Sequence, residues 1–371
     1  MFRAIFTQRK RLRRRNRNFI LIAMDRETLT GLFQCPRSGE ALQLTPDGHL
    51  IGGAGHTYSV REGVASFLHD LSEEQAAAKQ FYDEFGWAPD AEGEFQETKA
   101  FVDTRRVSAA HARACMRRLG ERYFSGGGKY ILDAGCGPLV DEEVVAFGDR
   151  FERFICTDLS TRALNVAREK LGDRGIYLKC DITNMPIQDG VVDAITCNHV
   201  IYQLPLEMQA AAFRELWRVL KPGGVAVVVF WWNDAKLPWR LERLARMFTM
   251  RGPGPPEIHT PLPDLPHNTR SRSWFESKDW PFAYSYDIYN AVPQLFLRNY
   301  IPDDWRGRLF LSGLRALQAA LPRYCGKHGL MPAIVFKKDS DGGGRVSVAD
   351  KVLTSGALSF VEPLAGVAAA L

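Results

Sequence analysis

The stretch Ile131-Leu132-Asp133-Ala134-Gly135-Cys136-Gly137-Pro138 decides the fold of this chain. An apolar run over residues 129–132 leads into Asp133, then into Gly135 and Gly137, and then into residues able to begin a helix. Small residues at such a turn let the backbone approach a ligand closely, and the helix that follows leaves free N–H groups to bind it. The stretch therefore predicts a strand, a ligand-binding turn and a helix.

Two further apolar segments also end in an aspartate. Residues 151–157 run into Asp158, about 20 residues past the glycines, where a carboxylate can hold both hydroxyls of a ribose. Residues 175–180 run into Asp181. Ligands of open α/β sheets bind at the carboxyl ends of the strands, so this spacing predicts that all three aspartates lie at one ligand-binding edge.

Strands and helices alternate from residue 129 to residue 231. Helices are expected near residues 161–171 and 206–220, and Lys221-Pro222-Gly223-Gly224 is expected to stop the second helix and turn into a strand over residues 225–232. This alternation predicts the α/β class, with a Rossmann-like, doubly wound, mostly parallel sheet.

The rest of the chain divides by composition. Around a core at residues 129–250 we predict a basic disordered extension (1–23), a small β-rich domain (24–70), a helical lead-in (71–128), an aromatic, partly helical cap insertion (251–325), a closing strand (326–338) and a disordered tail (339–371).

Charge and cysteine content narrow the classes of function. The chain has 48 Lys and Arg against 43 Asp and Glu, but eight of the bases and none of the acids lie in residues 1–23. The remaining 40 bases give the body of the chain, residues 24–371, a formal net charge near −3. A basic body built for nucleic acid is not indicated, and no specific nucleic-acid partner is expected, although residues 1–23 are able to touch an anionic surface weakly. No apolar run approaches the length of a membrane span. Seven scattered cysteines are typical of a reduced, cytoplasmic protein.

Residues 129–232 share five ordered sequence blocks with one large enzyme group. These blocks are Leu132–Pro138, Thr157-Asp158-Leu159-Ser160, Cys180-Asp181-Ile182, Asp193-Ala194-Ile195 and Leu220-Lys221-Pro222-Gly223-Gly224. In these blocks the chain resembles the class I S-adenosylmethionine-dependent methyltransferases, close to the ubiquinone/menaquinone C-methyltransferases. The resemblance implies S-adenosyl-L-methionine as cofactor.

The same resemblance implies roles for individual residues. Asp133, with the loop residues Ala134, Gly135, Cys136 and Gly137, is expected along the methionine part of the cofactor. Asp158 and Leu159 are expected at the ribose, and Asp181 and Ile182 at the adenine. The other expected cofactor residues are Asn198, after the fourth strand, and Tyr82, ahead of the first strand.

The sequence argues against a nicotinamide cofactor. The dinucleotide fingerprint requires a third glycine where this chain has Val140. A carboxylate at Asp133 would face a pyrophosphate poorly, whereas it is favourable beside an ammonium and a sulfonium.

Residues 30–68 resemble a second known unit, the small zinc-ribbon-like domain found ahead of some methyltransferases and in the activator of tRNA and protein methyltransferases. The shared residues are Leu32, Cys35-Pro36 and Tyr58–Val64. The metal-binding form uses four cysteines, but here only Cys35 remains, and Ser38, Ile51 and Ala54 take the other places. We therefore expect a degenerate ribbon and no metal site.

The segment after the fourth strand offers candidate catalytic residues. His199 is the first candidate for a general base and Tyr202 the second. Members of the resembling family often carry histidine at the places of Tyr202 and Gln203, and this chain departs from that pattern.

Ten aromatic residues lie between Trp274 and Trp305. They fit either ordinary core packing or a cap that shapes an apolar or ring-containing acceptor pocket. The sequence as a whole predicts an S-adenosylmethionine-dependent methyltransferase with a small-molecule acceptor, whose attacking atom (oxygen, carbon or nitrogen) stays open. A tRNA, rRNA or protein methyltransferase and a non-catalytic S-adenosylmethionine-binding regulator are the alternatives.

Overall fold

One eleven-stranded sheet organises the residues that the computed structural model describes, 26–249 and 267–339. Its strands are β1 (Gln43–Leu44), β2 (Leu50–Ile51), β3 (Thr57–Arg61), β4 (Val64–Ser66), β5 (Gly128–Ala134), β6 (Phe151–Asp158), β7 (Gly175–Lys179), β8 (Val192–Asn198), β9 (Leu220–Val229), β10 (Tyr284–Asn290) and β11 (Met331–Lys337). Across the sheet the order is β1-β2-β3-β4-β7-β6-β5-β8-β9-β11-β10. The predicted extension (1–23) and almost all of the predicted tail (339–371) lie outside the described residues.

The helices pack on this sheet and at its carboxyl edge. They are α1 (Arg26–Leu32), α2 (Glu73–Phe81), α3 (Gln96–Phe101), α4 (Arg106–Tyr123), α5 (Glu142–Gly148), α6 (Thr161–Leu171), α7 (Gln209–Val219), α8 (Leu237–Thr249), α9 (Arg272–Glu276), α10 (Gln294–Tyr300), α11 (Trp305–Ala320) and α12 (Pro322–His328). A π-helical turn, Tyr82–Gly86, continues α2. The two helices expected in the core are present as α6 and α7. Ser160 begins α6, because its hydroxyl accepts from the Ala163 N–H at 3.1 Å.

The five central strands, β7-β6-β5-β8-β9, are parallel. Strand β11 runs antiparallel to β9 and β10 runs antiparallel to β11, so the sheet is mixed. The predicted α/β class with a mostly parallel central sheet is confirmed. The closing strand expected within residues 326–338 is present as β11, between β9 and β10.

The Lys221–Gly224 turn does not precede a strand as predicted but lies inside one. Val192 pairs with Leu220, and Ala194 pairs with Val225, so the intervening residues bulge out of β9. Gly223 takes a φ of +83°, which favours glycine. The strand then ends at Val229 rather than at residue 232.

The β-rich segment is not a separate domain. Strand β4 pairs in parallel with β7, where Val64 lies opposite Tyr177, so β1–β4 extend the main sheet. The fully buried Leu32 and Phe33 belong to the same apolar core as the central strands. A unit of under 50 residues buries too little apolar surface to be stable alone. Packing against the core of the central strands buries more of this surface and stabilises the segment.

The region predicted as a cap, residues 251–325, contains β10, so it is not an insertion outside the sheet. Most of its described aromatic side chains form core. Phe275 is fully buried and packs on Phe213 of α7 at 5.1 Å, and Phe282 stacks on Phe336 of β11 at 4.2 Å. Ordinary core packing therefore accounts for these aromatics.

A buried carboxylate ties α4 to the sheet. Asp287 of β10 accepts from the Arg118 guanidinium at 2.9 Å and from the Tyr123 hydroxyl at 2.7 Å. Because both partners lie on α4, this network fixes the helix at the carboxyl edge, where it supplies one wall of a cleft.

Candidate functional site

A cleft of about 480 Å³ lies at the carboxyl ends of β5, β6 and β8, beneath α2, α3 and α4. The structure brings eleven of the predicted site residues to this cleft: Tyr82, Asp133, Gly135, Cys136, Gly137, Asp158, Leu159, Asp181, Ile182, Asn198 and His199. Of the predicted residues, Ala134 and Tyr202 do not line it.

The glycine loop is held against β6 by its own backbone. The N–H groups of Gly135 and Cys136 both donate to the Thr157 carbonyl, at 2.8 and 2.9 Å. Gly135 has a φ of +75°, and the Val200 side chain occupies the space that a Cβ would need. Glycine is therefore required at this position both by backbone conformation and by close packing.

Asp158 is fixed by backbone donors. One carboxylate oxygen accepts from the Gly137 N–H at 2.9 Å and the other from the Ser160 N–H at 2.8 Å. Burial raises its pKa to about 6, against the opposing effect of these hydrogen bonds. Burial also raises the pKa of Asp133, to about 8, and the neighbouring Asp158 and Asp141 add to that shift.

Carboxyl groups dominate the lining of the cleft. Seven carboxyl side chains line it: Glu74, Glu97, Asp133, Asp141, Glu142, Asp158 and Asp181. Arg113 is the one arginine or lysine among the lining residues in the described part of the chain. Such a lining favours a ligand that carries positive charge, because a cation offsets the cost of burying several carboxylates.

The side chain of Asp181 is held from α2. Its carboxylate accepts from the Gln75 amide at 2.6 Å and from the Thr183 N–H at 2.8 Å. Gln75 is also the third residue of a capping box with Ser72, so the start of α2 fixes the amide that reaches the cleft.

Tyr82 contributes an aromatic wall to the cleft. Its ring stacks on Trp87 with centroids 5.3 Å apart, and its hydroxyl donates to the Gln203 side chain at 2.7 Å. The Gln203 amide donates in turn to the His199 carbonyl at 2.7 Å. Gln203 therefore links Tyr82 to the loop that follows β8.

His199 lies in the cleft with a φ of +63°, an uncommon backbone conformation for a non-glycine residue. Its ring lies 5.3 Å from the Tyr289 ring, and burial lowers its pKa to about 4. The imidazole is therefore neutral at pH 7 and is a weak base. Beside it, the side-chain oxygen of Asn198 is buried and has no hydrogen-bond partner among the described residues.

The two predicted residues outside the cleft have other roles. Tyr202 packs its buried ring against Phe230, Trp231 and His267, and burial raises its pKa above the usual range. This position is wrong for a base acting in the cleft. Ala134 is fully buried at the end of β5, so it carries the backbone into the loop while its side chain fills the core.

Tyr289 lines the cleft and is one of the ten aromatic residues for which the sequence offered a role in the acceptor pocket. Several other lining residues have no signal in the sequence. Gln294 comes from the predicted cap region, Gln203 follows β8, and Glu97 comes from the short helix α3. No motif marks these residues, because the tertiary arrangement alone brings their elements to the cleft.

Helix α3 is held over the cleft from both ends. The Arg298 guanidinium donates to the carbonyls of Lys99, Ala100 and Val102 at the end of the helix. At its start, Phe95 contacts the edge of Trp87 with centroids 5.8 Å apart. Glu97 lies between these attachments, and no described group hydrogen-bonds its carboxylate.

Burial raises the pKa of Glu97 to about 7. Glu97 and His199 line the same cleft. Of these two groups, only the Glu97 carboxyl has a pKa close to neutral pH.

Comparison with known proteins finds a match that covers part of this site. Residues 132–228 match the model of a family described as a methyltransferase domain. The malonyl-[acyl-carrier protein] O-methyltransferase of Serratia marcescens is 35% identical over 118 residues, which are 31% of this chain and 44% of that protein. The ubiquinone/menaquinone biosynthesis C-methyltransferase UbiE of Vibrio campbellii is 32% identical over 109 residues, 28% of this chain and 41% of the other.

This chain thus spans less than half the length of these curated relatives. Among solved structures, the geranyl diphosphate C-methyltransferase of Streptomyces coelicolor, in complex with S-adenosyl-L-homocysteine, matches with a TM-score of 0.42 and 16% identity, over 72% of this chain and 100% of that one.

Proposed function

We propose that this protein is an S-adenosylmethionine-dependent methyltransferase that acts on a small-molecule acceptor. The observation that carries the proposal is the acid-lined cleft at the carboxyl edge of the methyltransferase domain, formed by the glycine loop together with Asp133, Asp158 and Asp181. The names of the relatives, which act through methyl transfer, support the same activity.

The cleft fits the cofactor chemically. Its ligand would carry a sulfonium and an ammonium, and the buried carboxyl groups of Asp133 and Asp158 are suited to neighbouring positive charge. The unpaired oxygen of Asn198 supplies an acceptor for an ammonium, which would remove the cost of leaving that oxygen unsatisfied. Gly135 and Gly137 pack closely against Val200 and Trp87, which holds the loop in place at the edge of the cleft.

When bound, the cofactor supplies an already activated methyl group. The protein therefore has to place the acceptor in line with that group and exclude water. Trp87, Tyr82 and Tyr289 supply the aromatic walls, which suit an apolar or ring-containing acceptor. A hydroxyl or acidic carbon acceptor must also lose a proton, and we assign Glu97 as the base because its raised pKa suits proton transfer near neutral pH. His199 then serves as a neutral contact to the acceptor.

Two further assignments belong to this proposal. We interpret β1–β4 as a degenerate zinc ribbon, because Cys35 is the single cysteine of residues 24–70 and its thiol lies 3.1 Å from the Tyr58 hydroxyl. We also place the protein in the cytoplasm, a location supported by seven unpaired, buried cysteines.

The proposal is tested by incubating the protein with S-adenosylmethionine labelled in the methyl group and with a fractionated cell extract. We expect micromolar cofactor binding by calorimetry, roughly −8 kcal/mol, and label transfer to the small-molecule fraction. Transfer only to RNA or protein would favour a macromolecular acceptor, and binding without any transfer would favour a regulator.

Cofactor affinity is expected to rise with pH. A cationic ligand favours ionised carboxylates, and the Asp158 carboxyl group titrates near pH 6 in the ligand-free protein. Binding should therefore release a proton, and the affinity for S-adenosylmethionine should increase by about tenfold between pH 5 and pH 7. Calorimetry in buffers of different ionisation enthalpy measures both quantities.

The matched variant is Asp158→Asn, which should flatten this dependence. The raised carboxyl pKa values have the opposite effect on the ligand-free protein. Their contribution to stability is fully present below about pH 4, the usual pKa of an unfolded aspartate, and is lost as pH rises to about 6 for Asp158 and about 8 for Asp133, so melting temperatures without ligand should fall over that range. An affinity that does not change between pH 5 and pH 7 would contradict the assigned role of Asp158.

Tyr289 and Tyr284 lie on the same strand but should behave differently. Tyr289 lines the cleft, so Tyr289→Leu should slow methyl transfer by up to about 100-fold through misplacement of the acceptor. Tyr284 packs on Phe275 at 4.9 Å, away from the cleft, so Tyr284→Leu should lower stability by at most about 3 kcal/mol and leave transfer intact. Steady-state kinetics and thermal melts on both variants separate the two effects. Equal loss of transfer in both would remove Tyr289 from the acceptor pocket.

A further inference from the structure

The outer face of α8 combines exposed apolar side chains with basic ones. Trp239 is 76% exposed and Met247 is 71% exposed, which is unusual for such large apolar residues. Exposed side chains on the same helix and its lead-in are Lys236, Arg240, Arg243 and Leu244. The inner face of α8 is buried through Leu237, Leu241 and Ala245, so the helix has one apolar face in the protein core and a second apolar strip in solvent.

A neighbouring helix carries exposed side chains of the same kinds. Helix α8 packs against α10 and α11, and the Arg240 guanidinium donates to the Tyr324 hydroxyl of α12 at 3.2 Å. On α11, Trp305 is 62% exposed and Leu309 is also exposed. We name as the basic aromatic face the side chains of Lys236, Trp239, Arg240, Arg243, Leu244, Met247, Trp305, Arg308 and Leu309.

Positive charge is concentrated on the helices that carry this face. Residues 236–247 and 305–328 together hold nine Lys and Arg, four of which (Lys236, Arg240, Arg243 and Arg308) belong to the face itself, and a single acid, Glu242. That acid is already engaged, because its carboxylate accepts from Arg246 at 2.6 Å and from the Tyr300 hydroxyl at 2.8 Å. The rest of the chain after residue 23 holds 31 basic and 42 acidic residues, so a cationic patch lies on an otherwise acidic body.

We propose that the basic aromatic face docks onto the surface of a bilayer that contains anionic lipid. Tryptophan, methionine and leucine can enter the boundary between headgroups and acyl chains while the arginines beside them meet lipid phosphates. Exposed apolar patches rimmed by polar groups mark interaction sites. A nucleic acid would use the arginines but would leave Met247, Leu244 and Leu309 without an apolar partner.

The docking would be peripheral. Among the described residues, none of the helices is both long and apolar enough to cross a membrane. This inference does not depend on the proposed methyl transfer, since it concerns side chains outside the cleft.

The test is sedimentation of the full chain with vesicles in physiological salt. Vesicles of phosphatidylcholine alone are compared with vesicles in which part of the phosphatidylcholine is replaced by phosphatidylglycerol. We expect the protein to pellet with the anionic vesicles only. The double variant Trp239→Ser with Met247→Ser and the double variant Arg240→Glu with Arg243→Glu should each lower the partition coefficient by about tenfold or more.

The matched control is Arg37→Glu with Arg61→Glu, which changes the net charge equally at exposed positions of the N-terminal segment. It should bind as the unmodified protein does, and thermal melts check that all variants fold.

Because residues 1–23 are also basic, wild-type binding by both α8 variants would assign the membrane contact elsewhere and overturn the proposal. Absence of vesicle binding by the unmodified protein would overturn it too, as would RNA retention that depends on Arg240 and Arg243 without vesicle binding.

Discussion

Replacing Glu97 by Gln is expected to lower kcat for methyl transfer by about 100-fold or more, the usual contribution of a general base. The substitution keeps the size of the side chain and removes only its ability to take a proton. Glu97 lies in the cleft without a described hydrogen-bond partner, so no ion pair is broken by the change. Binding of S-adenosylhomocysteine, measured by calorimetry, should remain nearly unchanged.

The pH profile gives a second readout for Glu97. A base must be ionised to act, so transfer by the unmodified protein should rise as pH increases through about 7, and Glu97→Gln should lose this rise. Glu74→Gln is the matched control, since Glu74 also lines the cleft but is exposed. If Glu97→Gln keeps the normal rate and profile while His199→Gln abolishes transfer, the base is His199 and the assignment of Glu97 is wrong.

Replacing Asp158 by Ala is expected to weaken cofactor binding by about 1.5–3 kcal/mol, the range for a hydrogen bond to a charged group. This carboxylate is held in place by the Gly137 and Ser160 N–H groups, so it is ordered before a ligand arrives. Calorimetric titration with S-adenosylmethionine measures the loss. Unchanged affinity would remove Asp158 from the cofactor site.

A variant elsewhere in the sheet controls for structural damage. Asp193 also accepts from two backbone N–H groups, those of Lys129 and Tyr130 at 3.0 and 2.9 Å, but it lies at the opposite end of β8 from the cleft. Asp193→Ala should lower the melting temperature, because it removes these two hydrogen bonds and the ion pair with Lys221 at 2.8 Å, while leaving cofactor affinity intact. A parallel loss of affinity in both variants would show that the effect is structural.

Local sequence patterns were sufficient to predict the part of the cleft that is proposed to hold the cofactor. The glycine loop, Asp158 and Asp181 each follow an apolar strand directly, and parallel strands bring their carboxyl ends to the same edge. Chain order and strand direction thus determine which of these side chains meet. The sequence also located α6, because its capping residue, Ser160, follows two residues after Asp158.

The part of the cleft that is proposed to hold the methyl acceptor could not be predicted from local sequence patterns. Glu97 and Tyr289 belong to elements far apart in the chain, and their meeting depends on how α3 and β10 are attached. Arg298 holds the end of α3 and Asp287 holds α4, yet neither contact has a local sequence signature. For Tyr202 the prediction from local sequence was wrong. This residue follows β8, as a cleft residue should, but its ring packs in the core against Phe230.

The sequence by itself determined the mostly parallel α/β core, the position of the glycine loop and the aspartates at the carboxyl edge, because each follows from hydrophobic periodicity and strand direction. Only the tertiary structure decided that β1–β4 extend the sheet and that most aromatics of residues 274–290 are core. It also decided that Glu97 faces the cleft and that Trp239 and Met247 face solvent. These outcomes depend on which long-range surfaces pack together, and amphipathic patterning specifies an apolar face without specifying its partner.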